Sequence, residues 1–411
     1  MALTIDRRKF VAGSAAVAAL PWAPAFAQAA PVRIGLLTVK TGPLAQGGIQ
    51  MEQGISVFLK EKNSMLAGRK VELIVADTGG NPAGAKTKAQ ELIERDQVDF
   101  IVGPLASFEL LAISSYVEQA KTPMLSLAAA DDMTQRKPNS WFIRASATSS
   151  QCCHPLGDYA AKEMKLKRIA TIVEDFAFGY EQAGGFQRVV EDEGGTIVKK
   201  LWPPLTAPDY TPFLAQIADV DGVWQGFAGS NPLKFFSQYA DFGLKGKYPV
   251  LAGWTALDDA LLKSLGDEAV GAISAHWYSS DLDTPSNKRF VADMQKEYDN
   301  IPGGYAAGCY INGMCIEAAL AATGGKTDDK AALIKALRAI SPTDTPRGAF
   351  HLDHLGNVIG NVFIRRCERK NGKLVNNVMK TYPDVSQFWT YDEKDYLAKP
   401  VYSRDYPPMK A

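Results

Sequence analysis

Val98-Asp99-Phe100-Ile101-Val102 is a short apolar run that Gly103-Pro104 brings to an end. Its β-branched and aromatic residues predict a buried strand, and the Gly-Pro pair predicts a turn. A helical pattern follows from about Ser107 to Lys121, and a second apolar run, Pro123 to Leu127, comes directly after it. Because strands that are apolar on both faces need cover on both faces, this order predicts a parallel sheet between helices.

The same alternation extends along the chain in both directions. Val32 to Leu37 and Val71 to Ala76 read as strands, and Ile49 to Lys62 between them reads as a helix. The pattern restarts with a strand at Arg168 to Val173, which is again followed by helices and apolar strands. The sequence therefore predicts an α/β protein built from two successive units that divide near residues 145–150.

The C-terminal part of the chain has a different pattern. Gly348 to Leu352, Val358 to Glu368 and Leu374 to Lys380 read as antiparallel strands. Asn371-Gly372 is typical of a two-residue hairpin loop, because both positions of such a loop require a positive φ. The tail from Val385 is rich in aromatic residues and prolines, and its pattern predicts no particular element.

Residues 1–27 have the three parts of a bacterial export signal. Arg7-Arg8-Lys9 forms a cationic head, Val11 to Leu20 forms a short apolar core, and Ala25-Phe26-Ala27 forms a small-residue cleavage site. The paired arginines are similar to the twin-arginine motif, which directs folded proteins across the membrane. We therefore expect cleavage near Ala27 and a periplasmic mature protein.

The charge balance and the motifs of the chain argue against several classes of protein function. The chain has 45 Lys and Arg residues against 45 Asp and Glu residues, so it lacks the cationic excess typical of nucleic-acid binding. After the export signal, no segment has the ~20 apolar residues of a transmembrane helix. We find no metal-ligand spacing, phosphate loop or nucleophile elbow, and therefore expect no metal, no cofactor and no catalysis. The cysteines are expected to be mostly buried thiols: Cys152, Cys153, Cys309, Cys315 and Cys367.

Short motifs after successive strands resemble one known family. They are Gly42-Pro43-Leu44-Ala45, Asp77, Ile101-Val102-Gly103-Pro104 and Phe178-Gly179. In this order, and behind an export signal, they resemble the type I periplasmic solute-binding proteins of ABC importers. The resemblance is to the leucine/isoleucine/valine-binding (amino-acid and amide) group, with its aromatic-acid-binding branch, and covers about Val32 to Asp384.

The resemblance implies two Rossmann-like lobes joined by three hinge crossovers, which close over a ligand. A first, N-terminal lobe would combine residues 31–147 with 278–346. A second, C-terminal lobe would combine residues 148–277 with 347–384, and residues 385–411 would form a C-terminal tail. The crossovers are expected near Ala147, His276 and Arg347. The family's partners would be a small-molecule ligand and the permease and ATPase of an importer, and we expect a monomer.

Ligands of open α/β sheets bind beyond the carboxyl ends of the strands, where helix N-termini favour anions. Ser107 begins a helix after the third strand, so its hydroxyl and nearby amides are expected to hold a carboxylate, although a helix N-cap would use the same residue type. Ala128-Ala129-Ala130 follows the fourth strand. By the resemblance, its backbone groups, notably those of Ala128 and Ala130, would face the same carboxylate.

Departures from the family pattern indicate the kind of ligand. Relatives that bind α-amino acids have a hydroxyl near Ala130 and an acidic residue near Trp254, in Gly253-Trp254-Thr255. Without that acid an ammonium would be buried unpaired, which is costly. Gly47 and Phe178 align with tyrosines of relatives, so Gly47 would leave space and Phe178 would lack a hydroxyl.

These changes favour a larger, flatter and less polar carboxylate. We expect an aromatic or branched oxo- or hydroxy-acid, of the benzoate, phenylpyruvate or cinnamate kind. Phe178, Phe227, Trp254 and Trp277 are the candidate apolar contacts, with Thr255 beside Trp254. Asp131 leaves an alternative open, because it would supply a negative charge for an amino acid or amide ligand. A periplasmic ligand sensor of the same fold is a further alternative.

Overall fold

The computed structural model describes residues 30–410, so the predicted export signal lies outside the described residues. Six strands form the first sheet. They are β1 (Val32–Thr38), β2 (Met65–Leu66), β3 (Arg69–Asp77), β4 (Phe100–Val102), β5 (Met124–Leu125) and β6 (Phe142–Ile143). Their order is β2-β3-β1-β4-β5-β6, and all neighbours are parallel except β2 and β3.

The second sheet contains eight strands. They are β7 (Arg168–Val173), β8 (Thr196–Leu201), β9 (Gly222–Gly226), β10 (Val250–Ala252), β11 (Ile273–His276), β12 (Phe350–Leu352), β13 (Val358–Lys370) and β14 (Lys373–Val385). The order is β12-β13-β11-β10-β9-β7-β8, with β14 also paired to β13. β7 to β11 are parallel to one another, whereas β12, β13 and β14 are antiparallel additions.

Helices cover both sheets. In chain order they are α1 (Ala45–Glu61), α2 (Pro82–Gln90), α3 (Ser107–Gln119), α4 (Cys153–Lys162), α5 (Ala177–Asp192), α6 (Thr211–Leu214), α7 (Asn231–Asp241), α8 (Pro285–Tyr298), α9 (Gly304–Ala322), α10 (Lys330–Arg338) and α11 (Glu393–Leu397). A π-helical turn, Glu91–Arg95, extends α2, and short 3-10 segments cover Asp131–Met133, Asp259–Ser264 and Asp267–Ala269. The α/β class and the two-sheet architecture predicted from the sequence are confirmed.

Chain-distant helices complete the first half of the molecule. α8 and α9 pack against α1, and α10 packs against α9 and β6. We call the six-stranded sheet with α1, α2, α3, α8, α9 and α10 the first lobe, and the eight-stranded sheet with α4 to α7 the second lobe. Gly54 shows how close the packing on α9 is, because a Cβ added there would lie 2.0 Å from the carbonyl oxygen of Ala306.

The hairpin expected at Asn371-Gly372 is present. Lys370 pairs with Lys373 across a two-residue loop, in which Asn371 has a φ of 51° and Gly372 a φ of 77°. Both central residues are therefore left-handed, as this loop type requires. The five cysteines are buried free thiols, as the sequence indicated.

The tail after β14 packs on the rest of the protein. Its aromatic residues Phe388, Tyr396 and Tyr402 are buried in a small cluster of their own. Tyr391 lies beneath the guanidinium of Arg188, 3.6 Å from the ring centroid. The tail has no amphipathic periodicity, so the sequence pattern did not indicate where it packs.

Candidate functional site

The carboxyl ends of strands from both sheets meet around one small cavity, which we call the cleft cavity. Segments that follow β1, β4 and β5 contribute residues from the first lobe, and segments that follow β7, β9 and β10 contribute residues from the second. The lining residues are Leu44, Leu105, Ala106, Ser107, Leu127, Ala129, Phe176, Phe178, Ala228, Trp254 and Tyr305. Of the residues predicted from sequence, Ser107, Phe178 and Trp254 are brought together here.

Ser107 presents a polar group to this mostly apolar cavity. It is the first residue of α3, and its hydroxyl is buried without a hydrogen-bond partner. The N–H groups of the first helical turn have no partner within the helix, and the helix dipole adds positive potential at the same point. The side chain of Glu109 accepts from the N–H of Ala106 at 3.1 Å and leaves the Ser107 hydroxyl free. This arrangement suits an oxygen anion.

The alanine run lies beside Ser107, but a different alanine from those expected lines the cavity. The guanidinium of Arg144 donates to the carbonyl oxygens of Ala128 at 3.2 Å and Ala130 at 2.7 Å. These bonds turn the carbonyls of Ala128 and Ala130 toward the buried Arg144, and Ala129 is the residue that lines the cleft cavity. Arg144 comes from the end of β6, so no local sequence signal indicated its role.

Four aromatic side chains form what we call the aromatic wall: Phe176, Phe178, Trp254 and Tyr305. The rings of Phe178 and Trp254 meet edge to face with centroids 5.8 Å apart, and Trp254 and Tyr305 are 6.0 Å apart. Phe176 stacks on Phe178 at 6.0 Å. Offset and edge-to-face ring contacts of this kind suit a flat aromatic ligand.

Phe227, Thr255 and Gly47 do not line the cavity, in contrast to the sequence expectation. Phe227 lies in the second-lobe core, 4.7 Å from the ring of Tyr210, because its side chain packs on the opposite side of the segment after β9. The hydroxyl of Thr255 donates to the carbonyl oxygen of Phe227 at 2.8 Å. A Cβ on Gly47 would lie 3.0 Å from Tyr305, so that aromatic ring occupies the space that Gly47 was expected to leave.

Asp131 also lies outside the lining of the cleft cavity. Its carboxylate accepts from the N–H of Ser150 at 3.2 Å, and burial raises its pKa to about 6. The side chain is 1% exposed, so it has almost no contact with water or with a ligand in the cavity. Trp277, which was an expected apolar contact, and His276, at an expected crossover, pack behind Trp254 with ring centroids 6.4 Å and 5.5 Å away.

Several lining residues were missed by sequence reasoning. Tyr305 lies at the start of α9, a helix that reaches the cavity only because α9 packs on α1. Phe176 precedes α5. Its position two residues before the predicted contact Phe178 is the sequence feature that could have indicated its place in the cavity lining. An acidic residue, Glu174, was also missed; one of its carboxyl oxygens accepts from the N–H of Ala228, a lining residue, at 3.3 Å.

Direct contacts hold the two lobes together around the cavity. The N–H of Ser230 in the second lobe donates to the carbonyl oxygen of Pro43 in the first, at 3.1 Å. The N–H of Gly304 in the first lobe donates to the carboxylate of Asp258 in the second, at 2.6 Å. The two lobes are therefore in direct contact, with the cavity between them.

This fold and this interlobe site agree with known proteins. Residues 31–373 match the sequence model of the family described as Periplasmic binding protein. The chain belongs to this family. A curated relative, the Leu/Ile/Val-binding protein homolog 6 of Brucella suis biovar 1, is 27% identical over 89% of this chain and 95% of its own length.

Solved structures of the family are similar over the same range. The solute-binding protein of an ABC transporter from Rhodopseudomonas palustris BisB5, in complex with 3,4-dihydroxybenzoic acid, is 32% identical with a TM-score of 0.83 and covers 87% of this chain and 98% of that one. A second R. palustris solute-binding protein, in complex with 4-hydroxybenzoate, is 28% identical with a TM-score of 0.82, covering 87% and 99%. This chain is thus an ABC-transporter substrate-binding protein with the type I fold.

Membership of the family also bears on the cellular compartment in which the protein works. Periplasmic binding proteins are exported to the periplasm, as the sequence indicated for this chain. Among residues 30–410, no helix is both long and apolar enough to cross a membrane. In the same range, no group of three His, Cys, Asp or Glu residues has the geometry of a metal site.

Proposed function

We propose that this substrate-binding protein captures a small aromatic carboxylate, of the benzoate or related oxo- or hydroxy-acid class, between its closing lobes. The observation that carries the proposal is the cleft cavity, which combines an aromatic wall with the unpartnered hydroxyl of Ser107 at a helix start. The carboxylate would accept hydrogen bonds from the Ser107 hydroxyl and first-turn amides, and its ring would contact Phe178 and Trp254. Burial of the flat ring provides most of the affinity.

Two further observations support an acid rather than an amino acid. No Asp or Glu is among the lining residues of the cleft cavity, so an ammonium there would have no adjacent counter-charge. The two R. palustris proteins described above were solved with hydroxybenzoic acids. Ala129, rather than Ala128 or Ala130, lines the cavity, so its N–H is the backbone group of the alanine run that we propose for the carboxylate.

The lobes are proposed to move as a hinged pair with crossovers near Ala147, His276 and Arg347, and with the lobe boundaries given above. The guanidinium of Arg347 supports this placement, since it donates to the carbonyl oxygen of Ala145 at 2.7 Å and lies 5.1 Å from the ring centroid of Trp277. The side chain of Arg347 therefore contacts residues next to each of the other two expected crossovers.

The rest of the transport role follows from the same proposal. The mature protein would begin after a twin-arginine signal cleaved near Ala27, would bind its ligand as a monomer without chemical change, and would deliver it to the permease and ATPase of an inner-membrane importer. A branched-chain amino acid or amide is the second candidate ligand class, which the Leu/Ile/Val-binding relative favours. A periplasmic sensor of the same ligand would use the same cavity.

Thermal-shift screening and calorimetry test the ligand class. Benzoate, 4-hydroxybenzoate, cinnamate and phenylpyruvate are compared with leucine, valine and an amide, because a ligand that binds only the folded protein raises the unfolding temperature. At a concentration 100 times its Kd, a ligand adds about 2.7 kcal/mol of stability. We expect shifts with aromatic acids and none with leucine or valine. A response to amino acids alone would overturn the proposed ligand class.

A further inference from the structure

Glu174 is a buried acid directly behind the lining of the cleft cavity. It follows Val173, the last residue of β7, and so lies at the ligand-facing edge of the second sheet. Its Oε1 accepts from the N–H of Ala228 at 3.3 Å and from Nδ2 of Asn231 at 2.7 Å. Ala228 itself lines the cavity, so one residue separates the carboxyl group from a bound ligand.

The two carboxyl oxygens of Glu174 have different environments. Oε1 has two donors, whereas Oε2 is buried without a hydrogen-bond partner. An ionised carboxylate spreads its charge over both oxygens, and an oxygen without donors then bears the full cost of leaving water. A proton on Oε2 removes the charge and so lowers that cost. The geometry therefore favours the carboxylic acid form of Glu174.

The groups around Glu174 do not offset this preference. Lys234, on α7, favours the ionised form, but its ammonium donates to the carbonyl oxygen of Ala207 at 2.5 Å. Tyr210 and Tyr305 face Glu174 from the segment before α6 and from α9, and burial raises the pKa of both phenols, so they stay neutral. Burial raises the pKa of Glu174 to about 8, against the opposing effect of its bond to Asn231.

We propose that Glu174 is a specificity-determining residue, which remains a protonated acid in the closed receptor so that the cavity accepts an anion and offers no full counter-charge to an ammonium. This inference rests on the proposed function. A bound carboxylate next to Glu174 would strengthen the preference for the protonated form, because two nearby negative charges repel. Ionisation of Glu174 would in turn weaken carboxylate binding, and a neutral substitute would not.

Benzoate binding by the mature protein, measured by calorimetry from pH 6 to pH 9, tests this inference. Benzoate is ionised throughout that range, so a change in affinity reports on the protein. We expect the Kd to be constant up to about pH 7 and to rise about tenfold by pH 9, as one group with a pKa near 8 ionises. In Glu174→Gln the Kd at pH 7 should stay within about threefold of wild type, with no rise at pH 9.

Glu181→Gln is the matched control. Glu181 is a buried acid on α5 whose pKa burial also raises, but unlike Glu174 it is not bonded to a residue that lines the cleft cavity. This variant should keep the pH dependence of wild-type binding. A flat wild-type profile, or loss of benzoate binding in Glu174→Gln at pH 7, would overturn the inference while leaving the aromatic-acid proposal intact.

Two further readouts separate this inference from the proposed function. If the protein binds leucine instead of aromatic acids, and Glu174→Gln abolishes that binding, Glu174 is the counter-charge of an ammonium and the inference is wrong. The ligand-free protein gives an independent result. The unfolding temperature of wild type should fall between pH 5 and pH 8, because the unfolded acid ionises near 4.5 and the folded one near 8. The unfolding temperature of the Glu174→Gln variant should fall less than that of wild type over the same pH range. An equal fall in the two proteins would contradict the inference.

Discussion

Ser107 gives the most direct test of how the carboxylate is held. Replacing Ser107 with Ala removes the unpartnered hydroxyl at the start of α3 but keeps the first-turn N–H groups. We expect the affinity for benzoate to fall by about 1–3 kcal/mol, measured by calorimetry at pH 7, because a bond to a charged oxygen is lost. Ser115→Ala, at an exposed position on the same helix, is the control and should bind as wild type does. Equal affinities for the two variants would remove Ser107 from the site.

At the scale of single residues, the sequence predicted those parts of the site that depend on strand order. Ser107, Phe178 and Trp254 each follow a strand, and the rule that strand ends meet at one edge was enough to group them. Tyr305 was not predictable in this way, because it reaches the cavity from a helix almost 200 residues after Ser107. The choice of Ala129 over its neighbours depends on bonds to Arg144, which local pattern does not contain.

At the scale of elements, the contact between α1 and α9 supports both the first-lobe core and the position of Tyr305. Gly54→Ala would place a methyl carbon 2.0 Å from the carbonyl oxygen of Ala306, and backbone atoms on both helices must then move. Overpacking should outweigh the roughly 1 kcal/mol by which Ala favours a helix, so we expect a net loss of about 1–3 kcal/mol in unfolding free energy. Urea unfolding followed by circular dichroism measures this change.

The control for that substitution is Gly246→Ala. Gly246 is exposed, and a Cβ there would meet no atom within 4 Å, so stability should change by less than about 0.5 kcal/mol. A stable Gly54→Ala protein would show that α1 and α9 can separate without cost.

Most helices and strands were predictable from the sequence, but strand β5 is shorter than the apolar run from Pro123 to Leu127 that predicted it. The hydroxyl of Ser126 bonds the carbonyl oxygen of Pro104 at 2.7 Å, where the chain leaves the sheet toward the cavity.

At the scale of the whole molecule, the tail after β14 contacts both lobes and lies beyond residues 31–373, the part that matches the family. In the first lobe, the guanidinium of Arg136 donates to the carbonyl oxygens of Tyr396 at 3.2 Å and Lys399 at 3.0 Å. In the second lobe, the hydroxyl of Tyr391 donates to Asp192 at 2.6 Å. Because one segment is bonded to both lobes, we infer that it restrains their relative movement.

Ending the chain after Val385 tests that restraint. The truncated protein exposes the surface that the buried Tyr396 and Phe388 cover, so we expect a lower urea midpoint and, without ligand, a larger radius of gyration by solution scattering. Arg136→Ala should also lower the urea midpoint and enlarge the radius of gyration, but by less than the truncation does. We expect its free energy of unfolding to fall by about 1–3 kcal/mol, because the tail carbonyls lose a charged donor. Arg404→Ala removes an exposed ion pair and should change stability by at most about 1 kcal/mol. A truncated protein with the same midpoint and radius as wild type would mean that the tail restrains nothing.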